Sequence, residues 1–212
     1  HQAVASLKRG KVWRSTLKLK KAIKENPNHD AAYLLLIKLY VHNGKERKAM
    51  PYIEQLATVQ ATSQRRSIEK SYYTAYKGIL DKNFLDAQQQ IKHTIVEVHK
   101  NQQFDFSILS RCYNALGYLD VIQHPSEQSS RRKWVVNKRT LLNARFLFEE
   151  ALRYQPQSQV AAKNYNTVNT ALKEPPNKID PYQIIDLSQE NALETVATNQ
   201  ANPMLKADPK LL

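Results

Sequence analysis

Apolar positions along this chain recur at helical spacing, and the spacing itself repeats. From Asp30 onward, Tyr33, Leu36, Ile37 and Tyr40 follow one another at three, one and three positions, which places them on one stripe of a helix. Asn43-Gly44 then turns the chain, and Ala49, Ile53 and Leu56 follow at four and three as the facing stripe of a second helix. Gly44 lies 34 positions after Gly10, inside the echoing tripeptides Arg9-Gly10-Lys11 and Asn43-Gly44-Lys45. The same offset carries Ser15 to Ala49, Leu19 to Ile53 and Ala22 to Leu56. A period of this length belongs to a two-helix unit that stacks on copies of itself. The pattern predicts an all-α chain of successive hairpins.

Breaks in the pattern mark the unit boundaries. Asn26-Pro27-Asn28-His29-Asp30 reads as a stop followed by a start, with Pro ending one helix and Asn or Asp capping the next. A third unit runs from Ser71 to Gly78, turns at Asp81-Lys82-Asn83 and continues through Phe84, Ala87 and Ile91. Ala87 follows Ala49 by 38 positions rather than 34, so a longer connection is expected around Thr58 to Ser63. A fourth unit places Tyr113, Leu116 and Gly117 in its first helix and Ala144, Phe148, Ala151 and Pro156 around its second. The 27 positions from Gly117 to Ala144 exceed the roughly 12 of a regular unit, which predicts an insertion within about residues 121–139. From Ser126 or Ser129 as a cap, that insertion is expected to form one long helix through Trp134, Val135 and Leu142 into Phe148.

These positions resemble the tetratricopeptide repeat family. Tyr33 and Tyr40 match its first-helix aromatics, Gly44 its turn glycine, and Ala49 the small residue where the two helices cross. Gly10, Ser15, Leu19, Ala22 and Pro27 match the second half of a preceding unit, so the register implies that the chain starts inside a repeat. The resemblance covers residues 1–172 and implies a right-handed helical-repeat superhelix of about four hairpins plus a capping helix at Ser158 to Leu172. Residues 173–212 would follow as an extended tail, in which Pro175, Pro176, Pro181, Pro203 and Pro209 exclude a stable long helix. The family's concave wall is lined by its first helices. Its groove positions map onto Leu34 and Lys38, then Tyr72 and Tyr76, then Asn114 and Tyr118. The resemblance therefore implies a protein-binding scaffold or adaptor, part of a larger complex, with a tyrosine-lined groove for an extended or helical partner segment.

Charge adds a choice of partners. The chain carries +13 in all, residues 173–212 carry −2, and the body therefore carries +15. Such a body attracts an acidic protein, a nucleic acid or an anionic surface. A basic cluster with an embedded aromatic, Arg131-Arg132-Lys133-Trp134 with Lys138-Arg139, is expected to stand out as a protrusion and suits phosphate contact and base stacking. This makes an RNA- or ribonucleoprotein-binding repeat protein the first alternative. Lys18, Lys20, Lys21 and Lys24 form another basic set on the second helix of the first unit. A second alternative is an accessory subunit of a bacterial envelope assembly, anchored by residues upstream of His1. Compartment stays open between cytoplasm and envelope.

Catalytic chemistry finds little support in the residues. Histidines at 1, 29, 42, 93, 99 and 124 have no zinc-site spacing, and the glycines at 10, 44, 78 and 117 are too isolated to form a phosphate loop. Cys112 cannot form an internal disulfide and reads as a small core residue. No enzyme, metal or cofactor is expected. The longest apolar run, Ala31 to Ile37, is far short of the roughly 20 residues of a membrane helix. Apolar islands in the tail, chiefly Tyr182, Ile184, Ile185 and Leu187, are expected to dock, either on a partner or back in the chain's own groove.

Overall fold

The computed structural model describes residues 12–100, 106–123, 125–128, 134–173 and 178–179. Its elements in chain order are α1 (Val12–Glu25), α2 (Asp30–His42), α3 (Glu46–Thr58), α4 (Gln64–Leu80), α5 (Phe84–Lys100), α6 (Phe106–Gln123), β1 (Pro125–Gln128), β2 (Trp134–Val136), α7 (Lys138–Tyr154), α8 (Gln159–Lys173) and β3 (Lys178–Ile179). Each helix packs on the next, and α2, α4, α6 and α8 also touch one another in succession. The architecture is an all-α array of helical hairpins in two layers, compatible with a helical repeat.

One stripe of residues explains the layering. In the outer helices a small residue is followed four positions later by a large one, and both are buried: Ser15 and Leu19, Ala49 and Ile53, Ala87 and Ile91, Ala144 and Phe148. Small residues let two backbones approach, and the large ones fill the space beside the crossing. The inner helices α2 and α6 bury side chains on most of their circumference because neighbours cover them on several sides. Gly117 on α6 marks the tightest fit, since a Cβ built there would lie 2.7 Å from Cε1 of the Phe148 ring.

Turns are closed by backbone hydrogen bonds. Gly44 has φ +62°, Lys45 N–H donates to the Tyr40 carbonyl at 2.9 Å, and Gly44 N–H donates to Val41 at 3.0 Å. Lys82 holds the same place after α4, with φ 63°, while Asn83 N–H donates to the Gly78 carbonyl at 2.8 Å. Both turns use one left-handed residue after the helix to satisfy terminal carbonyls. Lys82 lies 38 positions after Gly44, the same displacement as Ala87 from Ala49. The hairpin geometry thus survives the loss of the glycine.

The expected longer connection lies between α3 and α4, at residues 59–63, and it does structural work. Asp30, expected as a cap for α2, is instead the first residue of that helix and reaches across the hairpin. Its Oδ2 accepts from the Thr62 N–H at 2.7 Å and from Thr62 Oγ1 at 2.9 Å, and its Oδ1 accepts from Ala31 N–H at 2.6 Å. Arg66 Nη1 donates to the same Oδ1 at 3.1 Å. Burial alone would push this carboxyl up, but the Thr62, Ala31 and Arg66 contacts outweigh it and hold the group below the usual aspartate range. Lys70 Nζ adds a bond to the Val59 carbonyl at 2.7 Å.

The insertion is not the long helix that its polar caps suggested. β1 and β2 pair antiparallel, with Gln128 opposite Trp134 and an irregularity between Pro125 and Glu127. β3 adds to the other side of β2, with Ile179 opposite Trp134 and Lys178 opposite Val135. The aromatic and β-branched run Trp134-Val135-Val136 favours an extended strand, and the Asn137 side chain then accepts from Arg139 N–H at 2.8 Å to start α7. Val136 and Ile179 are buried with Val121, Leu141, Phe148 and Val168 in a second core, beside the main one that runs from Leu19 to Leu119. Val136 is only 1% exposed, so the returning strand of the insertion lies against the body rather than standing out from it. The capping helix is α8, where Ser158 Oγ accepts from Ala161 N–H at 3.3 Å.

Candidate functional site

The layer of α2, α4, α6 and α8 carries all six groove positions inferred for the partner site. Polar side chains tie each helix of this layer to the next. Lys38 on α2 reaches Glu69 on α4 with 2.7 Å between Nζ and Oε2, and Arg65 approaches the same carboxylate at 3.7 Å. Between α4 and α6, Arg111 donates to the Tyr73 hydroxyl at 3.3 Å, and within α6 it donates to Ser107 Oγ at 2.7 Å. Its guanidinium lies 5.7 Å from the centre of the Tyr72 ring, and Tyr72 in turn meets Tyr73 edge-on at 5.2 Å and stacks with Tyr76 at 6.5 Å. Between α6 and α8, Asn164 Nδ2 donates to Asn114 Oδ1 at 3.0 Å.

Burial corrects the picture of an open tyrosine-lined surface. Leu34, Tyr72, Tyr76 and Asn114 are each 3% exposed or less, so they pack between helices instead of presenting free rings. Lys38 and Tyr118 are half-buried and keep part of their side chains at the surface. Tyr118 packs against both cores and marks their junction. The structure thus gathers the predicted groove residues on one layer but assigns most of them to holding it together. The network residues Glu69, Tyr73, Arg111 and Asn164 were missed by motif reasoning. Their signal was a polar residue inside an otherwise apolar helical stretch, most visibly Arg111 and Asn114 within the run from Ile108 to Leu119.

The basic insertion is divided. Lys138 and Arg139 are exposed in the first turn of α7, Trp134 lies in β2, and Arg131, Arg132 and Lys133 lie outside the described residues. Lys18, Lys20, Lys21 and Lys24 are exposed on α1, where Lys20 Nζ comes within 5.9 Å of the Tyr40 ring centre. The predicted tail segment Tyr182, Ile184, Ile185 and Leu187 also lies outside the described residues. The outer layer holds two exposed apolar pairs at helical spacing, Trp13 with Leu17 on α1 and Leu142 with Phe146 on α7. Among the described residues, no helix is long and apolar enough to cross a membrane.

Another aromatic group sits between α6 and α7. Tyr154 stacks on Tyr113 at 5.5 Å and on Phe106 at 6.1 Å. Glu150 lies beside this column, and burial pushes its carboxyl up against the opposing pull of Arg153, whose Nη1 is 2.9 Å away. The chain matches no known protein family, no characterised protein and no solved structure.

Proposed function

We propose that this protein is a non-enzymatic interaction scaffold of the tetratricopeptide type, docking a partner segment on the layer of α2, α4, α6 and α8 within a larger complex. The observation that carries this reading is the ladder of contacts Lys38–Glu69, Arg111–Tyr73 and Asn114–Asn164 across consecutive inner helices. These bonds fix the spacing and orientation of the layer, and a rigid surface loses little entropy when a ligand docks. The family features of Gly44 at the turn and Ala49 at the crossing support the same assignment. Apolar burial would supply affinity, and the +15 body would steer an acidic partner.

The surface side chain with which to test this is Tyr118. A pull-down from the native source would compare the intact chain with Tyr118→Ala on the inner layer and with Leu142→Ala plus Phe146→Ala on the outer layer. The expected result is loss of the captured partner with Tyr118→Ala alone. Capture that survives Tyr118→Ala, or that depends on the outer pair, overturns the inner layer as the docking face.

A further inference from the structure

Exposed apolar side chains are confined to one part of the fold. Among the described residues, every large one sits on an outer helix and none lies beyond that helix's midpoint: Trp13 and Leu17 on α1, Leu85 on α5, Leu142 and Phe146 on α7. Trp13 and Leu85 are 63% and 62% exposed, so packing within the array does not account for them. Short reversals bring the starts of the outer helices to one rim. The Gly44 and Lys82 turns set the starts of α3 and α5 beside the ends of α2 and α4, and residues 26–29 reverse the chain at the far end of α1. The end of α6 then joins α5 to α7. Gln88 Nε2 donates to Asp120 Oδ1 at 3.5 Å, Asn143 Nδ2 donates to the other oxygen of that carboxylate, and Gln123 Nε2 donates to the Phe84 carbonyl at 3.4 Å.

Charge on this rim is one-sided. Arg14, Lys45, Lys48, Lys82, Lys138 and Arg139 are exposed there, and none of them is paired with an acid among the described residues. The acids of the rim are engaged elsewhere: Asp81 with Lys77 at 2.6 Å, Asp86 with Asn83 at 2.6 Å, and Asp120 with Gln88 and Asn143. Glu46 is half-buried. Free cations therefore alternate with exposed aliphatic and aromatic groups along the starts of four parallel helices.

That combination selects among anionic partners. A nucleic acid gains nothing from Leu17, Leu85 or Leu142, which offer neither a flat ring to stack on a base nor a donor for a phosphate. A lipid leaflet presents both complements over an area wide enough to meet several helices, with apolar chains lying just beneath a plane of phosphates. Trp13, with the Arg14 guanidinium 5.2 Å from its ring centre, is the side chain that favours this boundary. We propose that the rim formed by the starts of α1, α3, α5 and α7 is an interfacial binding surface for an anionic phospholipid bilayer. Trp13, Leu17, Leu85, Leu142 and Phe146 enter the headgroup region shallowly, and the surrounding cations meet lipid phosphates. The inner layer takes no part in this contact and stays open to a protein partner.

The test is co-sedimentation of the full chain with vesicles of phosphatidylcholine alone and of phosphatidylcholine with phosphatidylserine in equal parts. Two variants accompany the wild type, Leu17→Ser/Leu85→Ser/Leu142→Ser and Lys45→Glu/Lys48→Glu/Lys138→Glu, and their helical circular dichroism should match it. The expected result is binding to the mixed vesicles only, weakened at least about tenfold by either set of substitutions. Tryptophan emission should shift to the blue on binding, and Trp13→Phe, which perturbs the helix least, should abolish the shift. Failure to bind the mixed vesicles overturns the proposal, as does a blue shift that persists in Trp13→Phe. Binding that the serine variant retains in full marks unspecific adsorption of a basic chain and also overturns it. Loss of binding to a fluorescein-labelled oligouridine in the glutamate variant, with no vesicle binding by any chain, would assign the rim to nucleic acid instead.

Discussion

The α2–α3 and α6–α7 hairpins cross on the same small-then-large stripe, Ala49 with Ile53 and Ala144 with Phe148, yet they close and anchor themselves in different ways. The first closes with one left-handed glycine and is locked by Asp30, a carboxylate buried among N–H and O–H donors. The second closes through paired strands, rests Phe148 on Gly117, and leaves Glu150 buried beside aromatic rings. Burial is similar for the two acids, at 1% and 5% exposure, but their ionisation is pushed in opposite directions. Hydrogen-bond donors, rather than depth, set the sign. A crossing stripe thus specifies how two helices meet, and leaves the loop and the buried charge free to vary.

The largest expected effect comes from filling the α6–α7 contact. Gly117→Val should drive its side chain into the Phe148 ring, and overpacking of this kind costs about 3 kcal/mol. For a chain of this size the loss corresponds to a Tm lower by roughly 10 °C, measurable by calorimetry. A Tm within a degree or two of wild type would show that the ring can move aside at no cost, and that the two crossings differ less than their geometry indicates.

Next come the two acids, whose substitutions should have opposite signs. Asp30→Asn removes a charged acceptor and should lower stability by about 2 kcal/mol at neutral pH. Because the folded carboxyl titrates below its unfolded value, the contribution is present above about pH 4 and lost as pH falls through the lower folded value. Asp30→Asn should therefore flatten the acid limb of the stability profile. Glu150 behaves the other way: its folded carboxyl titrates above the ordinary glutamate value, so stability is full below about pH 4 and declines as pH rises through the folded value. Glu150→Gln should leave neutral-pH stability unchanged or raise it by up to about 1 kcal/mol, since half-exposed Arg153 contributes little. Urea denaturation across pH 3–8 for both variants checks the pair. Parallel profiles would refute the contrast.

The smallest effect separates the two short turns. Gly44→Ala places a Cβ on a left-handed residue and should cost about 1 kcal/mol, whereas Lys82→Gly relieves the same conformation and should gain roughly half as much. Midpoint shifts of opposite sign, the Lys82→Gly gain about half the Gly44→Ala loss, would confirm that both turns share one geometry, and a loss at both positions would separate them.

Much of this was legible along the chain, because helical periodicity and turn chemistry act over a few residues. Gly44, the Ala49 crossing, the Asp81-Lys82-Asn83 turn and the long connection after Thr58 all follow from local spacing. The strand pair was not legible. Its polar caps suggested a helix, and the deciding contacts are those of Val136 and Ile179 with a core built by α6, α7 and α8. The residues named for a groove fall on α2, α4 and α6, but the burial of Leu34, Tyr72, Tyr76 and Asn114 was not legible, because exposure depends on how closely neighbouring helices approach.

The sequence by itself determined the helices, their order and the stripe on which each pair crosses, since these depend on side chains three or four positions apart. Tertiary structure alone decided that Asp30 would anchor Thr62, that Arg111 would lie over Tyr72, and that Ile179 would be buried in one core with Val121. Those contacts join residues more than thirty positions apart, and only the packed array sets the distances between them.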